Sequence, residues 1–398
     1  MLLKHVNEIR HLRMLVLRCA AIAATAATIV GAIAPKTHGD TFDERIQAAP
    51  QCAVAYQALS ADGHAVLDSV AKLYAKQGRM PSYPEYLELL ADSKQHLTAS
   101  DRLNLYWVFG CVQKPLRSQL ELHDLLRAQR ASLTSFSTRY RVDYLVEARP
   151  ENAPKPPAGD YRKECKFLFA GTKLWFQVGD YRGAALQQKQ VEAYDDHVLR
   201  GNLERPDGST FGSIATLDGR NRFFAEGNPL LCAKLMDGAV DLEADEQLNQ
   251  DDLAEFATHQ FVYETPVKVG RFDCVVVGND AVQFFCSPQH NFAVVEQRMG
   301  GLEVDRKTGG YVRTKTFSVL KNSGFVDIGG KVWLPRRSEF VWTKHGKVVE
   351  RYVVTVDAFE ANPELADATF SDIIANGTFV ADSIKNKTYV QTADNGKK

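Results

Sequence analysis

A glycine-centred hairpin near the C-terminal end constrains the fold of this chain more than any other stretch. Residues 324–342 have the sequence GFVDIGGKVWLPRRSEFVW. Gly329 and Gly330 can supply the positive φ angles of a tight turn between two alternating segments. Pro335 cannot donate to a β-ladder, so we expect it at a sheet edge or a bulge. Because an isolated hairpin is not stable in water, other strands must pair with this one.

Alternation of apolar and polar residues predicts a long strand between Phe136 and Val146, with one apolar and one solvated face. Further alternating segments follow this strand along the chain as far as Glu360. The connections between consecutive segments are mostly too short for parallel pairing. A meander of this length curls toward a barrel, because closure hides its edges. The further predicted strands are Tyr161–Ala170, Lys173–Gly179, Gln190–Glu204, Gln260–Thr265, Phe272–Val277, Val282–Phe285, Phe292–Gln297, Tyr311–Leu320, Gly324–Ile328, Lys331–Leu334, Ser338–Lys344 and Val348–Glu360.

The residues before the first strand have helical spacing. Val66, Val70 and Leu73 recur on one helix face, and the segment SYPE at 82–85 is a capping box with proline in the first turn. We predict four short amphipathic helices between residues 42 and 132, which form a small bundle or a lid. The domain boundaries that follow are a helical module at residues 40–125, the sheet at 126–390 and a loose tail at 391–398.

The N-terminus has the layout of an export signal. Basic side chains precede an uncharged run from Cys19 to Ala34, and small residues stand before Asp40. Residues 1–39 are therefore predicted to be a signal peptide, with an uncleaved membrane anchor as the alternative. Either would place the protein in the periplasm or cell envelope, where membrane contact is made only by this segment or by bound cargo.

Removal of the predicted signal, which contains Cys19, leaves six of the seven cysteines, and an even number of cysteines in an exported chain is typical of disulfide bonding. Cys274 and Cys286 flank a predicted turn at Asn279-Asp280, which would set their strands side by side. Cys52 and Cys111 are a second candidate pair within the helical module. The alternative is that all six are small buried apolar side chains. These six are Cys52, Cys111, Cys165, Cys232, Cys274 and Cys286.

Composition and motifs exclude several classes of function. A formal net charge of −1 gives no field that attracts nucleic acid, so nucleic acid is not a predicted partner. The acidic run between Asp237 and Glu255 lacks the spacing of a calcium loop, so no metal is predicted. The chain contains no nucleophile elbow, HExxH motif, phosphate-binding loop or dinucleotide fingerprint, which predicts no cofactor and no enzyme.

Three groups of reactive side chains each allow a functional and a structural interpretation. Cys52 could open a helix as a thiol nucleophile, but no histidine in a suitable strand follows it. Asp195 and His197 would share a face of a predicted strand, where a solvated edge explains them as well as catalysis does. A hydrolase built on either group is therefore the third hypothesis. Arg336 and Arg337 either bind an anionic head group or protect the sheet edge beside the proline.

Several segments together resemble the outer-membrane lipoprotein-carrier superfamily, the LolA/LolB type of envelope lipid-binding protein. The resemblance lies in the strand, glycine turn, WLP and basic residue of 324–342, and in segments Leu126–Ala148, Val191–Gly201, Ser287–Met299 and Val356–Asp382. It implies a half-open antiparallel barrel wrapped around helices. It also implies an apolar cavity that holds acyl chains without cofactor and without catalysis.

We therefore predict an α+β fold, in which a helical module precedes a curved, half-open antiparallel β-barrel wrapped around helices. The predicted function is that of an exported, non-enzymatic carrier or sensor that binds a lipid or a lipid-modified protein. If its aromatic residues fill a dry core instead, the chain is a structural or interaction module of the envelope that contacts envelope proteins and holds no ligand. The residues predicted to line the cavity are Tyr140, Tyr144, Phe176, Phe284, Trp333, Phe340 and Trp342.

Overall fold

The structure is a computed structural model that describes residues 41–92, 97–147, 160–216, 227–235, 261–279, 281–304 and 311–392. The predicted export signal, the proline-rich connection at 150–157 and the acidic run at 237–255 lie outside these ranges. The described chain divides into two compact units. The first comprises the residues up to Lys114 together with Tyr263–Thr265, and the second comprises the remainder.

The first unit is helical, and its helix starts are set by capping side chains. Thr41 and Thr98 each form a complete capping box, and the Ser60 hydroxyl accepts from the amide of Gly63. Tyr86 stacks on Phe109 with ring centroids 3.9 Å apart at the centre of this unit. Its helices are α1 (Phe42–Gln47), α2 (Pro50–Gln57), α3 (Ala61–Gln77), α4 (Tyr83–Asp92) and α5 (Ala99–Cys111).

With α6 (Gln119–Ala131), which belongs to the second unit, six helices rather than four occupy the described residues before the sheet. The predicted number was wrong because the first helical stretch is interrupted twice. Pro50 stands in the first turn of α2, where its missing N–H is tolerated, and Ser60 caps α3.

The second unit contains one large open sheet. Its strands are β1 (Ser135–Val146), β2 (Tyr161–Ala170), β3 (Lys173–Arg182), β4 (Ala185–Tyr194), β5 (Val198–Glu204), β6 (Thr210–Thr216), β7 (Phe261–Val269), β8 (Phe272–Gly278), β9 (Val282–Ser287), β10 (Ala293–Val304), β11 (Tyr311–Asp327), β12 (Trp333–Lys344), β13 (Lys347–Ala361), β14 (Phe379–Asp382) and β15 (Lys387–Val390). The described part of the unit also contains two short α-helices, α7 (Pro229–Cys232) and α8 (Ala368–Ser371).

The order of the strands is β15-β14-β6-β5-β4-β3-β2-β1-β13-β12-β11-β10-β9-β8-β7. Two antiparallel meanders, β1 to β6 and β7 to β13, are therefore joined side by side through β1 and β13. The pair β6 and β14 is parallel. Since β7 and β15 are at opposite edges of the sheet, the barrel is not closed, and the predicted α+β fold with a half-open, mainly antiparallel barrel is confirmed.

The hairpin at residues 324–342 forms as predicted. Gly329 and Gly330 both have positive φ, at 105° and 62°, between β11 and β12. Pro335 pairs with Phe325 on β11, whereas the pairing of β12 with β13 begins only at Arg337. The proline therefore lies where one side of its strand carries no ladder, as its missing N–H requires.

The core of the second unit lies on one face of the sheet, here called the inner face, which bears Tyr140, Val142 and Val354. Leu126 of α6 and Leu230 of α7 pack against this cluster, and Leu122 of α6 packs on a second cluster under β7 to β10. The short helix α7 is tied down by Asn322, whose side-chain N–H groups donate to the carbonyl oxygens of Cys232 and Val294, each at 2.8 Å. The barrel is thus wrapped around helices.

The predicted Cys274–Cys286 disulfide is wrong. Cys286 lies directly opposite Val275 on β8, and neighbouring residues of a strand point to opposite faces, so the two thiols are separated by the sheet. All six cysteines in the described ranges are free thiols. Cys52 and Cys111 differ from that pair, because they lie on two helices of the first unit, α2 and α5.

Candidate functional site

One row of side chains crosses seven neighbouring strands on the inner face. Residues directly opposite each other on paired strands share a face of the sheet. The pairing β9-β10-β11-β12-β13-β1-β2 sets one member of the row on each strand, and six of the seven members are half-buried. This set, here called the aromatic row, consists of Phe284, Gln297, Leu320, Phe340, Tyr352, Tyr144 and Tyr161.

The rings of four members form a continuous ladder. Phe340 stacks on Tyr352 with centroids 4.8 Å apart, and Tyr352 lies 5.5 Å from Tyr144. Tyr144 in turn stacks on Tyr161 at 4.7 Å. Such ring pairs contribute about 0.5–1.5 kcal/mol beyond the area that they bury. The ladder is thus a rigid, partly exposed apolar surface.

Positive charge lies at the Tyr161 end of the aromatic row. The Arg182 guanidinium is 4.1 Å from the centroid of the Tyr161 ring, and Arg182 Nη2 donates to the Glu147 carboxylate. The Lys163 ammonium lies 5.4 Å from the Tyr144 ring. Cations over ring faces are attracted by the quadrupole of the ring. The row therefore runs from an apolar end on β9 to a charged end on β2 and β3, where the Asp180 carboxylate also accepts from the Tyr161 hydroxyl.

The structure places the seven predicted cavity residues in four settings. Tyr144, Phe284 and Phe340 belong to the aromatic row. Trp342 is half-buried on the same face as Phe340, two positions further along β12, opposite Ser318 and Glu350.

Three of the predicted residues do not join the aromatic row. Tyr140 and Phe176 are in the packed core, where they are 1% and 6% exposed. Trp333 faces the other side of the sheet, with its ring centroid 4.7 Å from that of His290.

Four members of the aromatic row were not predicted from the sequence. Tyr352 lies in the predicted strand Val348–Glu360, at an even spacing from Val354 and Val356 on the inner face. Leu320 is likewise at an even spacing from Asn322. Spacing within each strand carried the signal for both residues, but the register between strands is needed to align them. Tyr161 and Gln297 could be assigned only once that register was known.

A half-buried carboxyl group also lies on the inner face. Glu192 on β4 is directly opposite Phe176 on β3. Burial raises the pKa of Glu192, although Gln190 Nε2 donates to its Oε1 at 2.6 Å. A carboxyl group in such surroundings can hold its proton more readily than an exposed one. It adds a polar contact to an otherwise mainly apolar face.

The two groups considered for catalysis, Cys52 and the pair of Asp195 and His197, are both held in structural interactions. Interaction with the Cys111 thiol, and then burial, raise the pKa of Cys52, which opposes formation of the thiolate that a nucleophile needs. Asp195 lies in a turn between β4 and β5, not on the continuous strand Gln190–Glu204 that was predicted. That prediction was wrong because Asp196 adopts a positive φ of 75° and reverses the chain.

The Asp195 carboxylate is occupied within its own turn. It accepts from the amide of Val198 at 3.0 Å and forms an ion pair with Arg200. Burial alone would raise the pKa of Asp195, but the hydrogen bonds from Arg200 and from the amides of Val198 and His197, together with the charge of Arg200, outweigh it and lower that pKa. The His197 side chain is exposed, and its amide N–H donates to the same carboxylate. The arrangement stabilises a turn.

Two surface cavities are formed by described residues, and neither touches the aromatic row. One of about 320 Å³ is lined by Ser137, Arg139, Lys166, Ala358, Phe359 and Glu360. The other, of about 200 Å³, is lined by Ser132, Leu133, Ile328, Gly329, Gly330, Ala361 and Asn362.

Within the described ranges, no group of histidine, cysteine and carboxylate side chains is arranged to hold a metal. None of the helices that the structure describes combines the length and apolarity needed to cross a bilayer.

Comparison with known proteins gives matches only among solved structures. No protein-family profile matches the chain, and no curated protein matches it. A domain from Vibrio parahaemolyticus, provisionally named an outer membrane lipoprotein-sorting protein, is similar with 10% identity and a TM-score of 0.36, over 64% of this chain and 96% of that one. A β-barrel-like protein of the domain of unknown function DUF1849 from Brucella abortus has 10% identity and a TM-score of 0.18, over 58% of this chain and 99% of that one.

Proposed function

We propose that this chain is an exported, non-enzymatic envelope protein that binds the acyl chains of a lipid or of a lipid-modified protein along the aromatic row. The export signal predicted at residues 1–39 supports the compartment. The half-open barrel around helices supports the class of protein. The domain division predicted from the sequence, residues 40–125 and 126–390, remains part of this proposal.

The observation that carries the proposal is the continuity of the half-buried aromatic row. A core residue is normally buried fully, and an isolated exposed ring needs no explanation. Six half-buried side chains on one face, on six of the seven strands and with the buried Gln297 between Phe284 and Leu320, form an extended, mainly apolar surface of the kind that marks a binding site. An acyl chain lying along it would gain about 0.8 kcal/mol for each methylene removed from water.

The charges near Tyr161 favour a ligand with an anionic head. Lys163 and Arg182 both lie against rings of the row, at the end opposite Phe284. An acyl chain on the ladder would bring a carboxylate or phosphate head toward these cations. The hydroxyls of Tyr144, Tyr161 and Tyr352 can make the polar contacts that tyrosine offers at the boundary between apolar and wet surfaces.

The test is a titration of delipidated full-length protein with a fluorescent fatty acid, after mass spectrometry of lipids that co-purify with it. Tyr352→Ala and Tyr144→Ala should each weaken binding about tenfold, or about 1.4 kcal/mol. Tyr181→Ala is the matched control, since Tyr181 is a half-buried strand tyrosine that pairs with Arg162 on the opposite face of the same sheet. Equal effects of all three substitutions, or no uptake by the unsubstituted protein, would contradict the proposal.

A second candidate is a structural or interaction module of the envelope whose barrel is filled. The burial of Tyr140 and Phe176 against the core favours it, as does the position of the two surface cavities away from the aromatic row. In that case extraction would yield no lipid, and crosslinking in the envelope would recover partner proteins attached near Tyr144 and Tyr352.

A further inference from the structure

Two cysteines of the helical unit meet where α2 packs on α5. Cys52 is fully buried on α2, and its sulfur lies 4.0 Å from the carbonyl oxygen of Trp107 and 3.9 Å from that of Val108, both on α5. The thiol of α2 therefore rests on the turn of α5 that these two residues form.

Cys111 is the last residue of α5, four and three positions after the same two residues. A helical side chain leans toward the N-terminus and covers the turn that precedes its own Cα. The Cys111 side chain is consequently directed to the place that the Cys52 sulfur occupies. Both thiols are thereby set against the same turn of α5.

We propose that Cys52 and Cys111 are an oxidation site that closes to an intramolecular disulfide. The inference is independent of the lipid-binding proposal and concerns the helical unit alone. It differs from the Cys274–Cys286 pair, in which the strand register directs the two thiols to opposite faces. Closure needs an approach of two thiols that both lie against the same turn of α5.

The order of the chemical steps follows from accessibility. Cys111 is half-buried and Cys52 is inaccessible, so the Cys111 thiolate attacks a low-molecular-weight disulfide and forms a mixed disulfide while one thiol leaves. Cys52 then loses its proton, its sulfur attacks the sulfur of Cys111, and the second thiol leaves. Two protein thiols are oxidised by two electrons, and one oxidant disulfide is reduced to two thiols.

The experiment is peptide mapping of the full-length protein after incubation with oxidised or reduced glutathione. Trypsin places Cys52 in the peptide 46–72 and Cys111 in the peptide 103–117, each with one cysteine. After oxidation and alkylation without reduction, the two peptides should be recovered linked, at a combined mass lower by about 2 Da for the two hydrogens lost. Recovery of both peptides alkylated and separate would overturn the proposal.

Variants separate this disulfide from other oxidation. Cys111→Ser should abolish the linked peptide and leave Cys52 unalkylated until the protein is denatured. Cys274→Ser is the control and should leave the 46–72 to 103–117 link unchanged. Linked peptides that come only from disulfide-bonded dimers, or a Cys52 that links to Cys274 or Cys286 as readily as to Cys111, would also overturn the assignment.

Discussion

The ion pair between Arg45 and Glu264 should be the most costly polar interaction of the helical unit to break from one side. Arg45 Nη1 donates to both carboxylate oxygens of Glu264 at 3.0 and 2.9 Å, and to the carbonyl of Val112 at 3.2 Å. Arg45 Nη2 donates to the Tyr74 hydroxyl. The two side chains are only 10% and 15% exposed, and the Glu264 carboxylate also accepts from the amide of Lys114.

Arg45→Met keeps an apolar stem but leaves the Glu264 carboxylate buried without its cation. Removal of one partner from a buried pair costs about 3–5 kcal/mol, because the remaining charge is uncompensated. Glu264→Gln should lower the free energy of unfolding by a similar amount. The double substitution should cost less than the sum of the two, with a coupling of about 0.5–3 kcal/mol.

The assay is urea unfolding followed by far-UV circular dichroism, with hydrogen exchange of residues 263–265 as a local readout. Arg79→Met is the matched control, since Arg79 forms a 2.8 Å pair with Glu85 in which the side chains are 45% and 32% exposed. Exposed pairs of this kind contribute about 0–1 kcal/mol. If Arg45→Met lowers stability no more than Arg79→Met does, burial has not made the Arg45 pair stronger, and the reasoning fails.

Three further predictions concern covalent, ionic and steric features. The Cys52–Cys111 disulfide closes a loop of about 60 residues and should raise the free energy of unfolding by about 4 kcal/mol in the chain-entropy treatment, measured as the difference between urea unfolding with and without reductant. The hydrogen bond from Arg79 lowers the pKa of Glu85 from 4.5 to about 2, so its stabilising contribution is complete above about pH 4.5 and is lost as the pH falls toward 2. Glu85→Gln should therefore flatten the stability profile across that interval, and an unchanged profile would contradict the assignment. Gly227→Ala would add a Cβ 2.9 Å from a core valine at a φ of 71°, and should lower the thermal midpoint at a cost of about 1–3 kcal/mol; a midpoint equal to that of the unsubstituted protein would show that the core yields freely.

Local chemistry predicted the parts of the sheet whose geometry is set by a few adjacent residues. The turn at Gly329-Gly330 required positive φ angles that glycine adopts freely, and the strand from Phe136 to Val146 has an uninterrupted period of two. The same period also places Trp333 on the face opposite Phe340, because the two residues are an odd number of positions apart. The prediction that Trp333 and Phe340 both line the cavity was therefore inconsistent with the alternation of side chains along a strand.

The candidate site depended on pairings that no local pattern encodes. Tyr144 and Tyr352 meet only because β1 pairs with β13, and the register between those strands shifts at two bulges. Tyr140 and Tyr144 share a face of one strand, yet the first is buried in the packed core and the second is half-buried. That difference follows from which part of the strand the core cluster with α7 covers, and the sequence gives no distance between a helix and the strand beneath it.

The side-by-side arrangement of β1 and β13 has a consequence for how the protein is made. Thr138 donates to the carbonyl of Ala358 across 220 residues of chain. Contacts of such high sequence separation are slow to form, since the entropy of a very long loop is lost before they are gained. During synthesis β1 can pair with β2 while its other edge stays bare until the last strands have left the ribosome. An unpaired edge of that kind readily recruits other chains, so this protein should depend on a chaperone, or on delayed folding until synthesis is complete, to avoid aggregation.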